Sequence, residues 1–311
     1  MRMKRNQREY PENVYTSLES LLSMEKHAVG FSLLAKKQKV KSILGGKHAS
    51  KLRGRGMDFE ESRKYVAGDD IRNIDWKVTA RTKTTHTKVF TEEKEKPALV
   101  IVDQSNSMFF GSKVKTKAVV AAEAAALMAF RILKDGDRVG GAIFSGDELE
   151  VLKPKRDRRN ALRFLEKMVQ YNHKLGQDDT ATFEKNLQRG IAEINNMITH
   201  DFLVVIIGDF IHYSEDLLKS LRLMSRKNDV ILVRVTDPMD FILPNEDIVL
   251  SEGDKQILAR GGRKELRNKL KEENEMNKLK FESMLKKYRI PVINLNTEEE
   301  VHEQVKNILT Q

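Results

Sequence analysis

Apolar and polar positions along the chain fall into two alternating patterns. Near-continuous apolar runs at 98–102, 202–207 and 230–235, rich in Val and Ile, predict strands covered on both faces, as in the middle of a parallel sheet. Residues 138–144 and 291–295 predict two more strands, 150–152 a short one beside the former, and two further short strands follow near 247–250 and 256–259. Between them apolar residues recur every three or four positions, which predicts helices over 114–133, 160–171, 183–198, 217–226 and 263–288. Thr297-Glu298-Glu299-Glu300 caps a closing helix, with acids at the positive end of its dipole. Strands alternating with helices imply an α/β fold built on a doubly wound, mostly parallel, Rossmann-like sheet over residues 97–311.

The text ahead of that domain is different. Val14, Leu18, Leu21, Leu22, Val29, Leu33 and Leu34 keep a helical spacing over 11–44, and Gly45-Gly46 and Gly54-Arg55-Gly56 break it. From Met57 the chain becomes dense in charge around its single tryptophan, Trp76, and 84–91 reads as an exposed strand. The chain therefore divides into a basic helical arm (1–53), a small β-rich N-terminal subdomain (54–96) and the α/β domain (97–311).

Charge sharpens this division. Of the formal +10, residues 1–56 contribute 13 Lys or Arg against 4 Asp or Glu, so the remaining 255 residues are almost neutral. A basic arm on a neutral body attracts nucleic acid, anionic lipid or an acidic protein, or is a solvated face. No aromatic residues interleave its basic ones as in a base-stacking platform, which makes nucleic acid the weaker choice. Cysteine is absent, which removes disulfides, thiolate metal sites and cysteine nucleophiles. No apolar stretch reaches the roughly 18 residues of a membrane span, and none of signal-peptide length follows Met1, so the expected location is the cytoplasm.

Candidate chemistry sits where the first buried strand ends, in Asp103-Gln104-Ser105-Asn106-Ser107. Ligands of open α/β sheets bind at the carboxyl ends of strands. A carboxylate and two hydroxyls at alternate loop positions offer hard oxygen ligands, which suit Mg²⁺ or Mn²⁺ better than zinc. The same residues also serve as turn and cap residues for the following helix. A phosphatase with an aspartyl nucleophile would carry a second acid two residues on, where this chain has Ser105, and no phosphate-binding loop or hydrolase motif is present. His86, His173, His200 and His212 are scattered and read as surface or packing residues.

Asp-x-Ser-x-Ser after a buried strand resembles the metal-ion-dependent adhesion site of von Willebrand factor A domains. Phe59, Arg63-x-Tyr65, Gly68-Asp69-Asp70-x-Arg72-x-Ile74-Asp75-Trp76, Ala80-Arg81, Glu93 and Asp103-x-Ser105-x-Ser107-Met108 together resemble the bacterial family known as domain of unknown function fifty-eight. That resemblance implies a von Willebrand A-like fold and a chain encountered beside AAA+ ATPases of the MoxR type. It implies Mg²⁺ or Mn²⁺ on Asp103, Ser105 and Ser107, a hydroxyl from Thr180 or Thr182, and an acid after the second buried strand, Asp209. It also implies that an Asp or Glu of a partner protein completes the shell, so that the site binds rather than catalyses. A hydrolase using the same ion and a nucleic-acid or membrane-surface binder using the arm are the alternatives. Arg63, Asp69, Asp70, Arg72, Asp75, Trp76 and Arg81 form either a structural clasp, with Trp76 buried against the α/β domain and Arg72 and Arg81 paired to carboxylates near it, or a partner-facing patch. The clasp is the expectation, since so many opposite charges in one short segment can satisfy one another.

Overall fold

The computed structural model describes residues 10–33, 57–92, 95–145, 148–176, 194, 197–211, 213–240, 248–252, 255–259 and 264–310. Thr180, Thr182, Glu93, His212 and most of the helix predicted over 183–198 lie outside them. Contacts group the chain into two compact units, one of residues 1–43 with 96–311 and one of residues 44–95.

In the larger unit the first element is α1 (Leu18–His27), capped at its start by the Ser17 hydroxyl, which accepts from the Ser20 N–H. The sequence assigns this segment to a separate arm; in the structure it packs on the α/β body. In the smaller unit β1 (Met57–Lys64) pairs antiparallel with β2 (His86–Glu92), and the connection carries α2 (Trp76–Thr82). Asp75 caps α2 and Lys83, at φ +55°, ends it in the left-handed conformation of a helix C-terminus.

The body follows as β3 (Pro97–Asp103), α3 (Lys117–Lys134), β4 (Arg138–Ser145), β5 (Glu148–Lys155), α4 (Arg158–Asn172) and β6 (Leu203–Gly208). It continues as α5 (Glu215–Met224), β7 (Asp229–Thr236), the hairpin β8 (Ile248–Glu252) and β9 (Lys255–Ala259), α6 (Lys264–Tyr288), β10 (Val292–Asn296) and α7 (Val301–Thr310). Six strands form one sheet in the order β10-β7-β6-β3-β4-β5, parallel except for β5 at the edge. From β3 the chain first grows the sheet through β4 and β5. It then returns to the other side of β3 for β6, β7 and β10. The order therefore reverses between β3 and β6, and the crevice at their carboxyl ends is the ligand position of such sheets.

Each face of the sheet carries an apolar core. One joins Val100, Val102, Val205 and Val233 to α3, α4, α7 and α1; the other joins Leu99, Ile101, Ile206 and Leu232 to α5 and to Phe281 and Leu285 of α6. Helix α3 is apolar nearly all round, and a helix of that kind needs cover on both sides. The sheet covers one side and α1 the other, with Leu21 fully buried. Polar contacts fix the arrangement: the Ser20 hydroxyl donates to Glu123, Lys115 pairs with Glu123 and Glu300, and Arg158 pairs with Glu25. On β4 the bare Gly141 lets the Phe164 ring of α4 lie against the strand, where a Cβ would stand 2.1 Å from the ring.

Candidate metal centre

β3 is buried along its length and delivers Asp103 at 0% exposure to the crevice. The chain then turns, since the Ser105 N–H donates to Asp103 Oδ1 at 2.9 Å and a short 3-10 turn follows over Asn106–Met108. Ser105 Oγ and Ser107 Oγ lie 3.0 Å apart, Ser105 buried and Ser107 exposed. Both hydroxyls and the carboxylate of the predicted motif are thus brought together. Asp103 Oδ2 is buried with no hydrogen-bond partner, which costs free energy unless a cation or donor reaches it.

Across the crevice β6, paired directly with β3, ends one residue before Asp209. Burial, and then the Asp209 charge, push the Asp103 carboxyl up to about 7, against the opposing pull of the Ser105 hydrogen bonds and of Lys117. Phe210, immediately after Asp209, has φ +50°, a conformation that bulky residues adopt only where the surroundings impose it.

Two further charged residues belong to the site and were missed in the sequence. Lys117, 2% exposed, places its Nζ 3.2 Å from Asp209 Oδ2 and 3.1 Å from Asp240 Oδ1. Burial alone would lower this ammonium's pKa, but Asp209 and Asp240 outweigh it and the net shift is upward. Burial also raises the Asp240 carboxyl, opposed by Lys117. The available signal was a lysine in the first turn of α3, where the helix dipole disfavours a cation, directly before an unbroken apolar run. Gln104 and Asn172, both fully buried, were missed as well. Asn172 Nδ2 donates to Gln104 Oε1 at 2.9 Å, and Gln104 Nε2 to the Ala118 carbonyl at 3.0 Å.

The residues marked in the smaller unit behave differently. Asp69 accepts from Arg63 at 2.6 Å and from the Val66 N–H, and those two bonds hold its carboxyl below the ordinary range. Asp70 caps the turn Ile71–Asn73 through the Arg72 N–H. Asp75 accepts from the Ser62 hydroxyl at 2.7 Å and from the Val78 N–H, which lower its carboxyl too. Trp76 is 70% exposed, so the residues of its own unit do not bury it. Asp75 divides its oxygens between the Ser62 hydroxyl and the α2 cap, and Trp76 follows it at the first helical position. Among the described residues no ion pair reaches Arg72 or Arg81; Arg63 makes the pair instead.

Residues 61–279 match the family described as "Protein of unknown function DUF58". The chain belongs to this family. Proteins of Mycobacterium bovis and Mycobacterium tuberculosis, both named as uncharacterized, are each 30% identical to the DUF58 chain over 229 residues, 72% of it and 69% of the relative. The solved structure of BatB from Bacteroides thetaiotaomicron aligns with a TM-score of 0.42 and 13% identity over 69% of this chain and 97% of that one. An aerotolerance-related membrane protein from Bacteroides fragilis gives 0.39 and 16% over 70% and 97%, and a von Willebrand factor type A structure from Catenulispora acidiphila gives 0.31 and 13% over 49% and 35%. The DUF58 fold described above rests on its own strand order. No helix among the described residues is long and apolar enough to cross a membrane.

Proposed function

We propose that the crevice between β3 and β6 is a divalent-cation site that recruits a protein through one of that partner's carboxylates. The observation that carries this reading is Asp103 Oδ2, buried and without a hydrogen bond, beside the hydroxyls of Ser105 and Ser107. Oxygen donors of this kind, without imidazole or thiolate, fit Mg²⁺ or Mn²⁺. Asp103, Ser105 and Ser107 would hold the ion, with Asp209 joining from β6 and Thr180 or Thr182 as the remaining hydroxyl.

Charge supports the same choice. Asp103, Asp209 and Asp240 carry three negative charges and Lys117 one positive, so the ionised cluster is two charges short of neutral. Buried charge of that size needs compensation. A divalent cation supplies it, together with a coordination position that a carboxylate from outside can fill. Lys117 meanwhile holds Asp209 against Asp240, and Ser105 orients the Asp103 carboxylate through its own N–H.

The chain's part in this reading is to bind and present, not to transfer a group. Ser105 stands where an aspartyl phosphatase would need its second acid, so a hydrolase gains no support from the geometry. Following the family resemblance, the proposed setting is that of a recruiting or adaptor partner of a MoxR-type AAA+ ATPase. Calorimetric titration with Mg²⁺ and Mn²⁺ tests the site: wild type takes up one ion and Asp103→Ala none. Affinity capture with and without chelator then tests the partner, which should elute on chelation; ion-independent capture would overturn the recruiting role.

A further inference from the structure

The segment before α1 carries no ligand of the candidate centre, yet its contacts converge on that centre from three directions. Along the first, the Thr16 N–H donates to Asn172 Oδ1 at 2.8 Å, Asn172 Nδ2 donates to Gln104 Oε1, and Gln104 Nε2 donates to the Ala118 carbonyl. Gln104 lies between Asp103 and Ser105, and its own N–H is fixed on the Phe144 carbonyl. The chain of amides has one polarity, set at its start by Thr16: a backbone N–H there forces the Asn172 oxygen toward it and the Asn172 NH₂ toward Gln104. Thr16, Asn172 and Gln104 are all buried, so loss of the first donor strands polar groups where water does not reach them.

Along the second, the Tyr15 ring packs on Phe109 with centroids 5.1 Å apart. Phe109 directly follows the turn that holds Ser107. Gly176 closes the contact, donating its N–H to Asn106 Oδ1 at 3.0 Å, at a φ of +77° that favours glycine and with the Phe109 ring 3.1 Å from where a Cβ would stand. His173 backs the pair: its Nε2 bonds the Thr16 carbonyl at 2.9 Å and its ring stacks on Tyr10. Along the third, the Thr116 N–H donates to the Asn13 carbonyl and the Thr116 hydroxyl to the Val14 carbonyl. Thr116 is the cap of α3, one residue before Lys117.

We infer that Tyr10–Thr16 is a positioning strap for the Asp103–Ser107 loop, with Tyr15 and the Thr16 backbone holding that loop in the form that presents its oxygens. The inference rests on the cation reading above only for what the loop presents; that the strap sets the loop's conformation stands without it. It gives the N-terminal segment a role the charge pattern did not suggest.

The test uses the full chain with Tyr15→Ala, Tyr15→Phe and Leu21→Ala. Leu21 is buried in α1 and makes none of the hydrogen bonds or ring contacts named above, so its truncation weakens α1 docking without removing a contact of the strap. Two quantities are read well below every unfolding midpoint: amide exchange of Met108 and Phe109 without added metal, and Mg²⁺ affinity by calorimetry. The Met108 and Phe109 N–H groups bond to the Ser105 and Asn106 carbonyls, so they report the loop directly. Tyr15→Ala is expected to speed both amides and to weaken Mg²⁺ about tenfold, the lower end for outer-shell changes at metal sites. Tyr15→Phe, which keeps the ring, should restore both, and Leu21→Ala should lower the midpoint while leaving both unchanged. Wild-type exchange and affinity in Tyr15→Ala, or equal shifts in Leu21→Ala, would overturn the strap. Failure of wild type to bind Mg²⁺ overturns the proposed function instead, and the exchange arm still judges the strap. If Tyr15→Ala does not fold, Tyr15→Leu serves in its place with the same expectations.

Discussion

The smaller unit and the crevice of the body both display aspartates at turns, and they use them in opposite ways. Asp69, Asp70 and Asp75 bind their own neighbourhood, accepting from Arg63, Ser62 and backbone N–H groups, and the first and last are held in the ionised form. Asp103 keeps one oxygen buried and without a hydrogen bond, and burial beside Asp209 makes ionisation costly. An acid that satisfies itself builds a turn. An acid left dissatisfied by a rigid sheet is a demand on something outside the chain, which is the difference between scaffold and site.

The largest effect expected from this contrast is at Lys117. Replacing it by Met leaves Asp209 and Asp240 facing each other without their shared cation, which should cost about 3–5 kcal/mol in urea unfolding. A loss below about 1 kcal/mol would mean that these acids are as well served as those of the smaller unit. Next is Asp103→Ala. At Mg²⁺ a hundredfold above its dissociation constant wild type gains about 2.7 kcal/mol, and the variant should gain nothing. Equal gains in both would place the ion elsewhere.

Trp76→Ala should change stability by no more than about 0.5 kcal/mol, as for an exposed side chain. A loss of about 3–5 kcal/mol would restore the buried clasp. The smallest effect separates the two units by pH. The His27 ring lies against His302 at 3.7 Å, and burial, then that neighbour and Lys26, lower its pKa from 6.5, with Glu300 and Glu303 opposing. The unfolded chain then takes the His27 proton first, so the contribution of this ring at α1 is lost as pH drops through 6.5, while Asp103, raised to about 7, works the opposite way at the crevice. Asp69 and Asp75 are lowered, so their contribution is complete above the ordinary carboxylate range and is lost only below it. Amide exchange at pH 7.5 and 5.5 should therefore show faster opening around α1 and no change around β1 and β2; His27→Gln should remove the difference.

Much of this was legible in the sequence because it was repetitive. The buried runs of β3, β6 and β7 and the helical spacing of α3, α4 and α5 declared a doubly wound sheet, and Asp103 and Asp209 could be placed because strand ends are visible as abrupt polarity. The strand order was not legible, and of β5 only a short piece beside β4 was, not its antiparallel direction or full length, since a half-exposed edge strand has a weaker pattern. The helical spacing of the arm called for packing on something else, but not on what; the all-round apolarity of α3 was the hint that α1 covers it. Helix α2 was hidden because Asp75 looked like a charge in a cluster and is a cap. Lys117, Gln104 and Asn172 act through contacts between residues far apart in the chain, which spacing does not encode.

Asp103 and Asp209 end neighbouring strands, but a ribosome makes α3, β4, β5, α4 and β6 between them. The Asp103 loop therefore emerges as an ordinary polar turn, and its counterpart exists only after the chain has doubled back and β6 has docked on the far side of β3. A cation that needs both loops cannot guide the early steps. It should slow unfolding and leave the folding rate almost unchanged, as expected for an interaction absent from the transition state. An ion held as proposed would act as a latch on a finished sheet, and a chain stalled or cut before β6 would carry only half of its site.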